Sequence, residues 1–168
     1  NGHYMRELDS GFVTEQTVPF MVKRGIITEQ EAEEKFDYIK RIVEISRDRA
    51  KTLDELAESI AFFFQDVTEY EEKGVRKHFA KENAAQLLTQ GADALEKLED
   101  FTLENTETTF RNITEAMGLK AAELIHPTRL AITGRTVGPG LFDIIVLLGR
   151  EKTVERMRKA AKWISDNI

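Results

Sequence analysis

The apolar residues of this chain recur at helical rather than strand spacing over most of its length, and that periodicity is the strongest constraint on its fold. Ala32, Phe36, Ile39, Ile42 and Val43 fall on one helical face. Thr28 followed by Glu31 gives the S/T-x-x-E pattern of a capping box, in which hydroxyl and carboxylate satisfy free backbone N–H groups at a helix start. A helix over 29–46 is expected. Thr52 and Glu55 repeat the pattern before Leu53, Leu56, Ala57, Ile60, Phe63 and Phe64, with Phe62–Phe64 read as the core end of that helix. Ala84, Leu87, Leu88, Leu95 and Leu98 mark an amphipathic helix over 81–98, weakened by Gly91. Thr102 caps the next helix, whose apolar face is Leu103, Phe110, Ile113 and Met117 and whose C′ residue is Gly118. Beyond Gly118 the segments shorten to 120–126, 127–132, 139–148 and 151–164. Pro127 and Pro139 stand where helices would begin, the position that tolerates proline. Gly149 fits the end of one helix before the last. No strand alternation, internal repeat or low-complexity segment stands out.

Residues 66–74 are polar, without apolar period, and Gly74 is a helix breaker. They suggest a hinge between two helical subdomains, 1–73 and 74–168. With 168 residues the chain is long enough for one domain or two small ones. No window approaches the ~18 consecutive apolar residues of a spanning helix. The absence of Cys excludes disulfides, thiolate metal sites and Cys nucleophiles. Asn1–Leu8 shows neither an initiator Met nor a signal-peptide pattern, and reads like part of a longer chain.

A net charge of −6 argues at first against nucleic acid. The total averages over two unlike parts. Residues 1–117 carry 15 basic and 25 acidic side chains, a net of −10, whereas 118–168 carry 9 and 5, a net of +4. Such asymmetry points to a localised anionic partner, or else to chance variation of helix-surface charge.

Catalytic constellations are lacking. His3, His78 and His126 are far apart in sequence, with no ligand-type partner four residues away, and read as surface or cap histidines. There is no G-x-S-x-G and no Walker A. Acid pairs such as Glu33-Glu34 and Glu71-Glu72 read as solvated faces. The informative stretch runs from Arg129 to Asp143. Gly138 and Gly140 bracket Pro139 at an expected helix start, where free N–H groups and the positive dipole end suit an anion. Leu141 and Phe142 follow at once; either, if turned outward, offers an unpaired base a stacking surface. Arg129 and Arg135 are forked donors able to read base edges or hold phosphates. The alternative is a tight interhelical loop with Phe142 as a core anchor. A second cationic spot lies at 47–52. The last helix carries Arg150, Lys152, Arg156, Arg158, Lys159 and Lys162, which could attract phosphate, with Val154, Met157, Ala160, Ala161 and Ile164 turned inward.

The chain resembles the C-terminal half of bacterial glutamyl-tRNA synthetases, the part that holds the tRNA anticodon. Three stretches carry the likeness: Asn1–Arg6; Asp48–Leu53 leading into Ala61–Phe64; and, most specifically, His126–Ile145 through Leu147–Gly149. The resemblance implies an all-α fold of two adjoining helical subdomains forming a cage around the anticodon loop. It implies a cytoplasmic, monomeric parent enzyme that charges tRNA(Glu), and in some members tRNA(Gln), using ATP and Mg. The family's H-I-G-H and K-M-S-K-S type motifs are absent, so the chain is expected to bind tRNA without a catalytic residue, metal or cofactor of its own. Arg129 matches an arginine that reads the first anticodon base. Pro139, Leu141 and Phe142 match the loop and helix start that meet the bases, and Gly138 falls where some relatives have a polar residue. Arg49 matches an arginine associated with the third base, and Arg135 and Arg150 are possible phosphate contacts. The rival reading is an all-helical protein-interaction scaffold built on the acidic face of 28–117 and the apolar Phe62–Phe64 region.

Overall fold

The computed structural model describes residues 8–168. Asn1–Arg6 and His3 therefore lie outside the described residues. The described chain is helical throughout its regular structure and divides into two compact units, one ending at Asp66 and the other beginning at Val67, earlier than the expected 73/74 boundary.

In the first unit, α1 (Ser10–Lys23) is capped by the Asp9 carboxylate, which accepts the Phe12 N–H. It carries Pro19 in its interior, and the apolar periodicity does not announce it. The capping box at Thr28 and Glu31 is present with both bonds, 3.0 and 3.1 Å. The helix it starts does not run to residue 46. It ends as α2 (Glu29–Glu34), turns at Lys35 (φ −107, ψ 17), and resumes as α3 (Phe36–Ser46). The break lets α3 bury Ile39, Ile42 and Val43 completely, each worth about 1.5–3 kcal/mol of transfer free energy. Thr52 caps α4 (Leu53–Ser59), which packs with α3 against α1. The following Phe62–Phe64 segment is not the end of α4; it lies on a separate 3₁₀ turn, Ala61–Phe63. Phe63 is fully buried, Phe62 and Phe64 are half-buried, and Phe64 meets Tyr38 edge-on at 5.9 Å. That segment is core, and offers no open apolar patch.

The second unit is built on α5 (Ala84–Lys97) and α9 (Arg150–Asn167), its most extensively packed pair. Gly91 explains the closeness: a Cβ there would lie 2.8 Å from Met157 Cε. Around this pair stand α6 (Leu103–Ala116), α7 (Ala122–Thr133) and α8 (Leu141–Leu148). Gly118 (φ +68) closes α6 in a Schellman motif, with Leu119 N–H donating to Thr114 O and Gly118 N–H to Glu115 O. The buried stripe of α6 differs from expectation. Leu103 and Met117 are exposed, while Thr106, Phe110 and Thr114 are buried. Both threonine hydroxyls return their hydrogen bonds to the helix backbone, so they can occupy apolar positions.

Pro127 does not begin a helix. It sits buried within α7, which runs unbroken from 122 to 133. An interior proline costs about 3 kcal/mol in lost backbone bonding. Burial of Leu124, Leu130, Ala131 and Ile132 on the same helix offsets that cost. Gly74 also differs from expectation: it lies in a helical turn, Glu72–Gly74, pressed against Leu130 and Thr136, where a Cβ would come within 2.7 Å of Thr136 Cγ2. Among the described residues no helix is long and apolar enough to cross a membrane.

Candidate nucleic-acid interface

The Arg129–Phe142 stretch is organised by the end of α7. Gly134 takes the left-handed conformation (φ +78) and its N–H closes on Leu130 O at 2.8 Å. Its carbonyl accepts the Glu71 N–H at 2.9 Å, and the Glu71 carboxylate accepts the Thr136 N–H, also at 2.9 Å. Thr133 Oγ1 accepts the Arg135 N–H and donates to Arg129 O. The 134–136 turn is thereby tied to the 69–71 segment and to α7 before the loop reaches Gly138.

Arg129 then crosses that loop. Its Nη1 donates to the Pro139 carbonyl at 2.6 Å, and it passes so close to Gly138 that a Cβ there would sit 3.3 Å from Nη1. A side chain at 138 would therefore abut the guanidinium. Gly140 caps α8, with Pro139 just outside the helix rather than in its first turn. The first turn of α8 already carries a negative charge: Asp143 Oδ2 lies 3.0 Å from the position of a Gly140 Cβ. This start is less suited to a phosphate than its bare sequence suggests.

Leu141 turns inward and is 3% exposed, so it is a core residue and no stacking surface. Phe142 is half-buried, with one edge against Phe110 at 5.4 Å, combining anchor and partial exposure. Arg135 is exposed, and beside it Val137 is 70% exposed, the most open large apolar side chain of the described residues. Nothing in the periodicity marks Val137; its only signal is its place between Arg135 and Gly138. Arg49 is exposed on a 3₁₀ turn, Arg47–Arg49, in the first unit, where Arg47 is fastened to Leu8 O at 2.7 Å.

The positive charge of the last helix is largely engaged within the fold. Arg150 Nη1 donates to the carbonyls of Leu95, Glu96 and Leu98 at the C-terminus of α5, and its guanidinium lies 5.0 Å from the Phe101 ring centroid. Arg156, only 6% exposed, donates to Ile132 O near the end of α7 at 2.7 Å. Both are cations at helix C-termini, where the macrodipole favours them. Arg158 binds Asp93 and Glu96, and Lys162 binds Asp166. The expected broad phosphate-attracting face is thus reduced by internal pairing. For Arg150→Met the expected result is a melting temperature of the second unit lowered by a loss of about 2–3 kcal/mol, with RNA affinity of the folded protein unchanged. Thermal denaturation and a filter-binding titration check the two halves separately.

The structure joins two residues that sequence distance kept apart. His78 and His126 stack with ring centroids 4.8 Å apart and 24° between planes. Partial desolvation first, then nearby positive charge (His126, Lys77 and Lys81 for His78; Arg129, Lys81 and Lys77 for His126), holds both below the ordinary histidine pKa. His126 stands three residues before Arg129 on α7, the one clue available in the sequence. Among the described residues no cluster of three His, Asp or Glu could hold a metal ion.

Comparison with known proteins bears on the family and the fold. A family model described as an anticodon binding domain matches residues 13–161. A glutamate–tRNA ligase of Moorella thermoacetica is 44% identical over 168 residues, covering 100% of this chain and 34% of its own length. One from Caldanaerobacter subterraneus is 45% identical with the same coverage. The chain thus spans about a third of the length of the curated relatives it matches, at 34%. Among solved structures, a glutamate tRNA ligase from Elizabethkingia meningosepticum, crystallised with its amino acid, superposes with a TM-score of 0.82 at 22% identity, covering 96% of this chain and 31% of that one. At that identity the likeness speaks to the fold, which is all-α in the described residues here. With a family match over residues 13–161, the chain belongs to the anticodon-binding domain family.

Proposed function

We propose that this chain is the anticodon-recognition region of a glutamate–tRNA ligase and that it binds the anticodon loop of tRNA(Glu). One observation carries the reading: the Arg129 guanidinium is held at the Pro139 carbonyl, beside Gly138, on the loop that leads into the half-buried Phe142. A guanidinium is a planar fork of donors whose geometry matches a base edge, and the part of the Phe142 ring left open offers a base a partial stacking surface. Pro139 and Gly138 act through the backbone, and Leu141 acts by anchoring α8 beneath them. Arg135 supplies charge at the loop margin. Arg49, on the exposed turn of the first unit, discriminates the third anticodon base: a forked arginine satisfied by one base is left with unpaired donors by another. The parent's charging of tRNA with glutamate at the expense of ATP and Mg, in the cytoplasm and as a monomer, is carried by parts other than these residues.

Addition of a tRNA(Glu) anticodon stem-loop to the labelled chain should shift the amides of 129–142 and, if Arg49 reads the third base, those of 47–52. The affinity should fall steeply with salt, as counterion release requires. Shifts confined to other surfaces would overturn the site; salt-independent binding would favour the scaffold reading instead.

A further inference from the structure

Apart from the anticodon residues, the second unit contains a cleft of about 520 Å³, lined by Lys77, His78, Lys81, Lys120, Glu123 and His126 among others. Its charge is strongly one-sided. Lys77, Lys81 and Lys120 are exposed and make no ion pair among the described residues. Glu123, the one acid in the lining, accepts the Lys120 backbone N–H at 3.2 Å and so is drawn to the start of α7. His78 and His126 stack inside this ring of cations.

The local backbone is built to bring them there. His78 lies on a π-helical turn, Val75–Phe79, closed by the Ala80 N–H on Val75 O at 2.9 Å. Such turns are rare and recur at functional sites. The charged groups facing the pair come from each neighbouring element: Lys77 and Lys81 on and just after the π turn, Lys120 before α7, and Glu123 and Arg129 on α7. All but Glu123 are positive. The two imidazoles are therefore in a field that disfavours their protonation, and they also lose solvent there. An anion in the cleft would reverse that field and give the lysines the partner they lack.

We propose that this cleft binds a phosphate-type oxyanion and, resting on the anticodon reading above, that its source is a backbone phosphodiester of the same RNA. His126 and Arg129 lie one helical turn apart on the same face of α7. Adjoining nucleotides of one strand can therefore meet both. The imidazoles donate to the phosphate once protonated, and the lysines supply fixed charge.

The test follows the ring protons of His78 and His126 by NMR over about pH 5 to 8, the histidine range. It uses the full chain alone, with sulfate, and with a tRNA(Glu) anticodon stem-loop. Sulfate is chosen because it stays a dianion throughout. With RNA both titration midpoints should rise by about one unit, which by linkage means roughly tenfold tighter binding, per proton taken up, as pH falls below the free-chain midpoints. In the Lys77→Ala, Lys81→Ala double variant the rise should shrink, and the salt dependence should flatten by roughly 0.7–0.9 for each phosphate no longer neutralised. Because both lysines are exposed, the thermal melt serves as the control for folding. RNA binding that shifts amides 129–142 but leaves the midpoints unmoved overturns the backbone-phosphate assignment while the anticodon reading stands. Midpoints that respond to sulfate, with RNA not bound at all, overturn the anticodon reading and confine the site to a free oxyanion. Midpoints indifferent to both overturn the site.

Discussion

Arg129→Ala should weaken binding of a tRNA(Glu) anticodon stem-loop by about 1–3 kcal/mol, the value of one specific base contact. Two roles of the side chain are removed together. The forked donor no longer faces a base edge, and the Pro139 carbonyl loses the Nη1 donor now at 2.6 Å. The roles separate experimentally. Loss of the Pro139 hydrogen bond is visible in the free chain as shifts of amides 138–141, whereas the base contact appears only in the affinity. Arg129→Lys refines the test: it preserves the charge but replaces the planar fork with a point charge, so affinity for a cognate loop should fall while the non-specific, salt-sensitive part remains. Isothermal titration at two salt concentrations measures both. Wild-type affinity in Arg129→Ala would remove Arg129 from the recognition role and leave it as a loop strut.

What the sequence disclosed depended on how local each interaction is. The caps at Thr28, Thr52 and Thr102, and the glycines after α6 and α8, involve partners within a few residues, and all appear where the pattern placed them. The break at Lys35 and the uninterrupted passage of α7 through Pro127 are decided by burial against distant helices, which periodicity does not contain. Charge shows the same division. The net of +4 after residue 117 points to the last helix, yet Arg150, Arg156 and Arg158 there are engaged with carbonyls and carboxylates far away in sequence. Two of the lysines without ion pairs, Lys77 and Lys81, lie in the part whose total is acidic. A segment's net charge counts side chains without knowing which of them are already satisfied. The same reasoning explains the histidines: 78 and 126 meet only because the π turn packs against α7.

Gly134→Ala should be the most damaging small substitution in the second unit, and comparison with Gly118→Ala shows why. Both glycines have positive φ, +78 and +68, so each alanine incurs the left-handed penalty of about 1–2 kcal/mol. At Gly118 that is all, since no atom lies within 4 Å of the new Cβ. At Gly134 the Cβ would lie 2.6 Å from the Glu69 carbonyl oxygen, a backbone atom that cannot rotate away. Either the 69–71 segment withdraws, breaking the bonds from Glu71 N–H to Gly134 O and from Thr136 N–H to the Glu71 carboxylate, or the 134–136 turn does. A total loss of about 3–5 kcal/mol is expected for Gly134→Ala, from strain plus two hydrogen bonds. For a unit of this size that lowers the melting temperature by at least roughly 10 °C, against about half as much or less for Gly118→Ala. The functional consequence differs more sharply. Displacing the turn moves Arg135 to Pro139 out of register with Arg129, so at a temperature where both variants remain folded, RNA binding should be lost in Gly134→Ala and retained in Gly118→Ala. Equal melting temperatures would show that the close approach to Glu69 is relieved without cost; equal affinities would show that the loop does not depend on it.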